Sequence, residues 1–247
     1  GRLVRARGGL PVFGGIHATL FPEEPLERGR AAAVVRGDGD LAWAEVLSDC
    51  ASGRPKALYE GGMIDAGDFA LPRWDLLPKG SYMWASVQTV RGCPKHCSFC
   101  SVWRTDGQQP RQRPVGPVVE EVVALRRLGY RFIALADDNF YPVTMSDLER
   151  AARKDDKRSY ERLLILRRER LELMEQLSRI SNDLIFFTQI TMEAAEDEEF
   201  LRAMKSARIK GALVGVESVT AAGLKEMYKG FNLSGEDLVA RLKRFRQ

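Results

Sequence analysis

Residues 82–100 read YMWASVQTVRGCPKHCSFC. The first part, 82–90, is β-branched and aromatic, the composition of a strand. It runs directly into three of the four cysteines of the chain, Cys93, Cys97 and Cys100, spaced x3 then x2 with His96 between them. A strand that opens into a loop of thiols makes two questions one: what the strand belongs to, and what the thiols hold.

Working outward, the punctuation after residue 82 is regular. Residues 114–129 carry apolar positions at helical spacing, with prolines before them and Gly129 after them as start and stop signals. A short apolar strand follows at 130–140, ending in acids. Residues 145–180 form a long, highly charged helical region, read as one helix or two. Its acids and bases alternate, which predicts a solvated face rather than a nucleic-acid or partner surface. A strand at 183–191, a helix at 197–209, a strand at 210–218 and helical sequence at 220–228 and 234–246 complete the pattern. Strands alternating with helices predict βαβ units and a parallel sheet, and four units in a row suit an open or partial barrel.

Upstream, 10–15 and 31–40 are strand-then-glycine segments, and 41–52 follows as a helix. This reads as the end of a second α/β unit, over 1–68. Residues 69–81 contain two prolines, Pro72 and Pro78, and read as the connection to the barrel segment, 82–247. The chain starts at Gly1 and reads as a piece of a longer polypeptide.

Composition narrows the field. The 38 basic and 34 acidic residues are well mixed, so the net charge of +4 gives no argument for nucleic acid or an anionic membrane. No apolar run approaches the roughly 18 residues that span a bilayer, and no secretory signal opens the chain. Four cysteines, three of them clustered, make no disulfide framework at this length, which points to a reducing cytoplasm and a metal site.

Three readings of the cluster stand side by side. The thiols could be incidental. They could hold structural zinc with His96 or Cys50 as fourth ligand, although zinc sites usually bring two separated ligand pairs and His96 directly precedes Cys97. They could hold an iron–sulfur cluster, which takes thiolates; three thiolates would leave one iron of a cubane open to a small molecule.

The strand ends supply an independent observation. The strand at 130–140 carries Asp137-Asp138-Asn139, the next Thr188-Gln189-Ile190-Thr191, and the next Gly215-Val216-Glu217-Ser218. In parallel α/β barrels the chemistry gathers at the carboxyl ends of the strands. An acidic pair after a strand is more often a turn or a helix cap, but here successive ends share the polarity.

The Cys-x3-Cys-x2-Cys spacing, with Phe99 before the last cysteine, resembles the radical S-adenosylmethionine (SAM) superfamily. The resemblance implies that Cys93, Cys97 and Cys100 ligate a 4Fe-4S cluster whose open iron binds SAM, and that reductive cleavage of SAM releases a 5′-deoxyadenosyl radical. It places Phe99, Asp137, Asp138, Gln189 and Glu217 as SAM or substrate contacts. The superfamily often has Gly-Gly-Glu where this chain has Ala136-Asp137-Asp138, so the resemblance does not choose between the two aspartates. His96 is expected to be a bystander.

Residues 12–24 and 34–40 resemble the closing part of the cobalamin-binding domain found in one branch of that superfamily. There, the positions of Gly14 and Gly15 let the backbone approach the nucleotide tail of the cofactor, as residues without a β-carbon can. His17 is expected to be a loop residue, since the ligating histidine of the branch lies far upstream of the glycine pair. The resemblance spans 10–246. It implies an α/β protein: the carboxyl-terminal part of a Rossmann-like cobalamin domain, then the first four βα units of a radical SAM barrel. It further implies a small-molecule substrate and an electron donor such as a flavodoxin or ferredoxin. Many members of the branch methylate unactivated carbon using methylcobalamin; others carry out rearrangements. A radical SAM enzyme without cobalamin, or a zinc-bearing binding module, are the alternatives.

Overall fold

The computed structural model describes residues 1–78, 80–232 and 235–245. Two parallel sheets and one short ribbon organise them. The amino-terminal sheet has the order β1 (Val12–Phe13), β2 (Ala33–Gly37), β3 (Leu58–Gly62), all parallel. Helix α1 (Arg2–Ala6) precedes it, α2 (Ile16–Leu20) and α3 (Glu23–Glu27) connect its first two strands, and α4 (Trp43–Ala51) its last two. Adjacent residues of β2 serve opposite faces: Ala33 and Val35 pack with Val46 of α4 and Tyr59, and Val34 packs with Ala18 and Ala31. Coverage of both faces explains the continuous apolar run.

The carboxyl-terminal part begins with β4 (Ala85–Val87). A two-stranded antiparallel ribbon, β5 (Val90–Arg91) and β6 (Arg111–Gln112), then encloses the cysteine loop and its short helix α5 (Val102–Thr105). After it come α6 (Val115–Arg127), β7 (Phe132–Leu135), α7 (Met145–Arg153), α8 (Lys157–Ile180), β8 (Ile185–Ile190), α9 (Glu198–Ser206), β9 (Ile209–Val214), α10 (Ala221–Glu226) and α11 (Gly235–Arg244). The four strands β4, β7, β8 and β9 lie side by side in sequence order, all parallel, as the alternating pattern predicts for the start of a barrel. Val118, Val122 and Leu125 of α6, Leu173, Met174 and Leu177 of α8, and Ile133, Leu135 and Phe186 of the sheet form one buried core. Each such aliphatic or aromatic side chain contributes about 1.5–3 kcal/mol by leaving water.

Local signals set the boundaries. The charged 145–180 region is two helices, and α7 starts on a capping box in which Thr144 and Asp147 satisfy each other's backbone N–H groups. The strand expected over 82–90 is broken: Thr89 and Val90 donate their N–H groups to the Asp137 carboxylate instead of continuing the ladder. The charged helix is also less uniformly solvated than its alternation predicts, because Arg170 of α8 is fully buried over Phe140, 4.6 Å from its ring centre. In the proline-rich connection, Trp74 packs on the large core and donates Nε1–H to Glu121 at 2.9 Å. Among the described residues no helix is long and apolar enough to cross a membrane.

Candidate functional site

The three cysteines sit on one long loop whose neck is the β5–β6 ribbon. Arg91 and Arg111 are paired in register there, so the chain leaves at Gly92 and returns at Pro110. Gly92 has φ 91°, and a β-carbon there would lie 2.9 Å from the Asp106 carbonyl oxygen and 3.0 Å from that of Gly107. Only glycine meets both conditions, which accounts for its place directly before Cys93. Within the loop, Cys93 N–H donates to the Gly107 carbonyl and Cys100 N–H to the Cys97 carbonyl, each at 3.1 Å. The Trp103 indole N–H also donates to the Cys97 carbonyl at 3.1 Å. Two further bonds hold the loop to the barrel segment: Ser98 N–H donates to Met227 O at 3.1 Å, and Lys95 pairs with Glu193 at 2.7 Å, beyond the end of β8.

All three thiols line a cavity of about 520 Å³ at the carboxyl ends of β8 and β9, beside the segment that follows β7. Burial pushes the Cys93 thiol up to about 11, and the neighbouring Cys97 and Cys100 add to the rise. Burial likewise raises the Cys97 thiol, against the opposing charge of Lys229. Thiols so placed ionise when a positive centre binds them, since the thiolate is the ligand form. Among the described residues no group of three His, Cys, Asp or Glu side chains closes around a single metal-ion position.

Of the other expected contacts, Phe99, Asp138, Gln189 and Glu217 line the same cavity. Asp138 accepts from Gly92 N–H at 2.7 Å, and burial raises its carboxyl above the usual range. Gln189 donates its side-chain N–H to the backbone carbonyl of Asp137. Glu217 takes a left-handed backbone with φ 53° and pairs with Lys229.

Asp137 departs from the expectation. Its side chain is fully buried and does not reach the cavity. Its carboxylate is occupied by Thr89 N–H, the Thr89 hydroxyl and Val90 N–H, with the Arg170 guanidinium 3.7 Å away. Successive residues of an extended segment face opposite ways, and the pair divides accordingly: Asp137 is structural and Asp138 faces the cavity.

Two lysines that sequence reasoning passed over complete the lining. Lys95 lies between the cysteines, and Lys229 follows α10; both ammonium groups stand over the Phe231 ring, 4.5 and 5.6 Å from its centre. Lys95 has a legible signal, a cation inside the thiol motif. Lys229 has none, because only the fold brings it to Cys97.

His96 is exposed and stacks on Tyr228 at 5.8 Å rather than lining the cavity. Cys50 packs against the core of the amino-terminal sheet. His17 is exposed and lies in α2, not in a loop, with Nε2 2.9 Å from Glu24. Gly14 and Gly15 follow β1 and are exposed. Gly15 has φ 85°, with nothing within 4 Å of where a β-carbon would stand, and it lines a second cavity of about 220 Å³ with Gly37, Gly39, Asp38 and Arg91.

Comparison with known proteins gives this geometry a lineage. A hopanoid C-2 methylase of Rhodopseudomonas palustris is 25% identical over 69% of this chain and 29% of its own. An uncharacterized methyltransferase of Synechocystis sp. is 26% identical over 87% of this chain, which spans 37% of that relative's length. Among solved structures, the radical SAM methyltransferase TsrM of Kitasatospora setae, with cobalamin and a [4Fe-4S] cluster bound, covers 95% of this chain and 47% of its own at TM-score 0.67 and 18% identity. The cobalamin-dependent SAM radical enzyme OxsB, with aqua-cobalamin and SAM bound, covers 99% of this chain and 36% of its own at TM-score 0.71 and 15% identity. Those two likenesses show that both sheets, in this order, are a fold already known. The family model of the radical SAM superfamily matches residues 87–247, the stretch that carries the thiol loop and the strand ends around its cavity, and the chain belongs to that superfamily.

Proposed function

We propose that Cys93, Cys97 and Cys100 hold a 4Fe-4S cluster and that the adjoining cavity binds SAM, in an enzyme that also uses cobalamin and methylates a small-molecule substrate at unactivated carbon. The observation that carries this reading is that the three thiols line one cavity together with Asp138, Gln189 and Glu217. The donor set fits the group: three thiols on the wall of one cavity, Cys97 buried and Cys93 and Cys100 half-buried. A cluster on three thiolates supplies an open iron for chelation and the electron for cleaving the sulfonium.

The residues of the chain then have separable tasks. Asp138 lines the cavity with one carboxylate oxygen held by Gly92 N–H, and is placed to accept from an amino group. Glu217 is oriented by Lys229, and Phe99, 59% exposed, offers an apolar surface beside the last thiol. Gln189 is held by the Asp137 carbonyl and can present its amide oxygen to the cavity. Gly14 and Gly15 would pass the cobalamin nucleotide tail; the open space in front of Gly15 fits that role. An electron donor such as a flavodoxin or ferredoxin would re-reduce the cluster, because each reductive cleavage of the sulfonium consumes one electron.

The methyl-transfer and cobalamin parts rest on the relatives named as methyltransferases and on the cobalamin-bound structural neighbours. Titrating the full-length protein with hydroxocobalamin tests them: bound corrin with shifted absorption bands is expected. Absence of a shift would leave a radical SAM enzyme that works without the vitamin.

A further inference from the structure

Asp38 stands at the carboxyl end of the amino-terminal sheet, directly after β2, and is buried. Its Oδ1 accepts from Arg91 Nη1 at 2.6 Å; its Oδ2 accepts from Arg111 Nη1 at 2.5 Å and from Ile64 N–H at 2.9 Å. Arg91 and Arg111 are the register pair at the neck of the cysteine loop. One carboxylate of the first sheet therefore holds both strands from which the three thiols hang.

The neighbours complete the arrangement. Arg91 Nη1 also reaches Asp40 at 3.2 Å, so two guanidinium groups meet two carboxylates. The Phe69 ring lies 4.0 Å from the Arg91 guanidinium carbon and 5.7 Å from that of Arg111. The ribbon itself pairs only two residues with two, too short a ladder to fix a loop of this length unaided. Its position against the first sheet is set by the charged contacts, which are strong because they are partly buried and charge-assisted.

We infer that Asp38 is a positioning residue: through Arg91 and Arg111 it fixes the neck of the cysteine loop to the carboxyl end of β2, and so sets where the three thiols stand relative to the Gly14–Gly15 side of the first sheet. The inference rests on the proposed role of the thiols as cluster ligands, but its first readout does not.

The experiment uses the full-length protein with Asp38→Asn and Arg91→Lys. Asparagine removes the charge and keeps the shape, whereas lysine keeps the charge and loses the planar fork. In iron-free protein, amide hydrogen exchange over 92–110 is expected to rise about tenfold or more in both variants, while β7 and β8 keep their protection. In reconstituted protein both variants are expected to load iron as the parent does. The midpoint potential of the cluster is expected to move to a more positive value in Asp38→Asn, which leaves an excess cation two residues from Cys93, and to stay near the parent value in Arg91→Lys. A purely structural brace would not separate the two variants in this way. Exchange over 92–110 that stays at the parent rate, or that rises equally in β7 and β8, would overturn the inference. Should Asp38→Asn not fold, the exchange of Arg91→Lys decides alone by the same criterion. Parent protein that loads no iron would defeat the cluster reading and leave the exchange result standing.

Discussion

The Asp137 carboxylate accepts the Val90 N–H at 2.9 Å, and this one bond ties the segment after β7 to the first residue of the ribbon beneath the cysteine loop. Thr89 joins through its own N–H and hydroxyl, and Arg170 reaches the Thr89 hydroxyl from α8. The cavity thus has a buried polar footing distinct from the groups that face into it.

That division predicts opposite phenotypes for adjacent residues. Asp137→Asn removes the nearest counter-charge of the buried Arg170 and turns an amide N–H toward donors. It should cost about 3–5 kcal/mol in denaturant unfolding. Asp138→Asn should change stability by under about 1 kcal/mol and weaken SAM binding about tenfold or more in equilibrium titration. Equal stability losses in the two variants would contradict the division.

Glu217 and Lys229 should behave as a coupled pair. Their side chains are 28% and 8% exposed, so the contact is shielded well enough to count. A double-mutant cycle with Glu217→Gln and Lys229→Met, read by unfolding free energy, is expected to return a coupling of about 1 kcal/mol. Additive effects would show that the two groups are only neighbours.

Asp197 gives a pH dependence. Burial alone would raise its carboxyl, but the Arg167 hydrogen bond, with those of Phe200 N–H and the Tyr141 hydroxyl, holds it below the ordinary value. A depressed folded pKa adds stability that is complete above the unfolded carboxylate value of about 3.9 and disappears as pH falls through the folded value. The stability gap between the parent protein and Asp197→Asn should therefore be widest near neutral pH and close below about pH 4. A gap independent of pH would contradict the ion pair.

Much of this was legible in residue order because local signals agreed with the fold. Apolar strands between helical repeats gave the parallel order of β4, β7, β8 and β9, and three clustered cysteines after a strand gave the place of the site. Long-range capture was not legible. Nothing near Thr89 indicates that Asp137 will draw it out of the ladder, and alternation assigns neighbouring aspartates to opposite faces without saying which face is which. Strand β3 was missed because Leu58-Tyr59-Glu60-Gly61-Gly62 ends in turn residues. Lys229 and Asp38 reach the thiol loop only through tertiary contacts.

Anaerobic iron and sulfide analysis of the full-length protein, with Cys97→Ala beside it, tests the central claim most directly. The expected result is about four irons and four sulfides per chain in the parent, brown in colour, and loss of both the cluster and reductive SAM cleavage in the variant. One zinc per chain without iron, or SAM cleavage at the parent rate in Cys97→Ala, would contradict it.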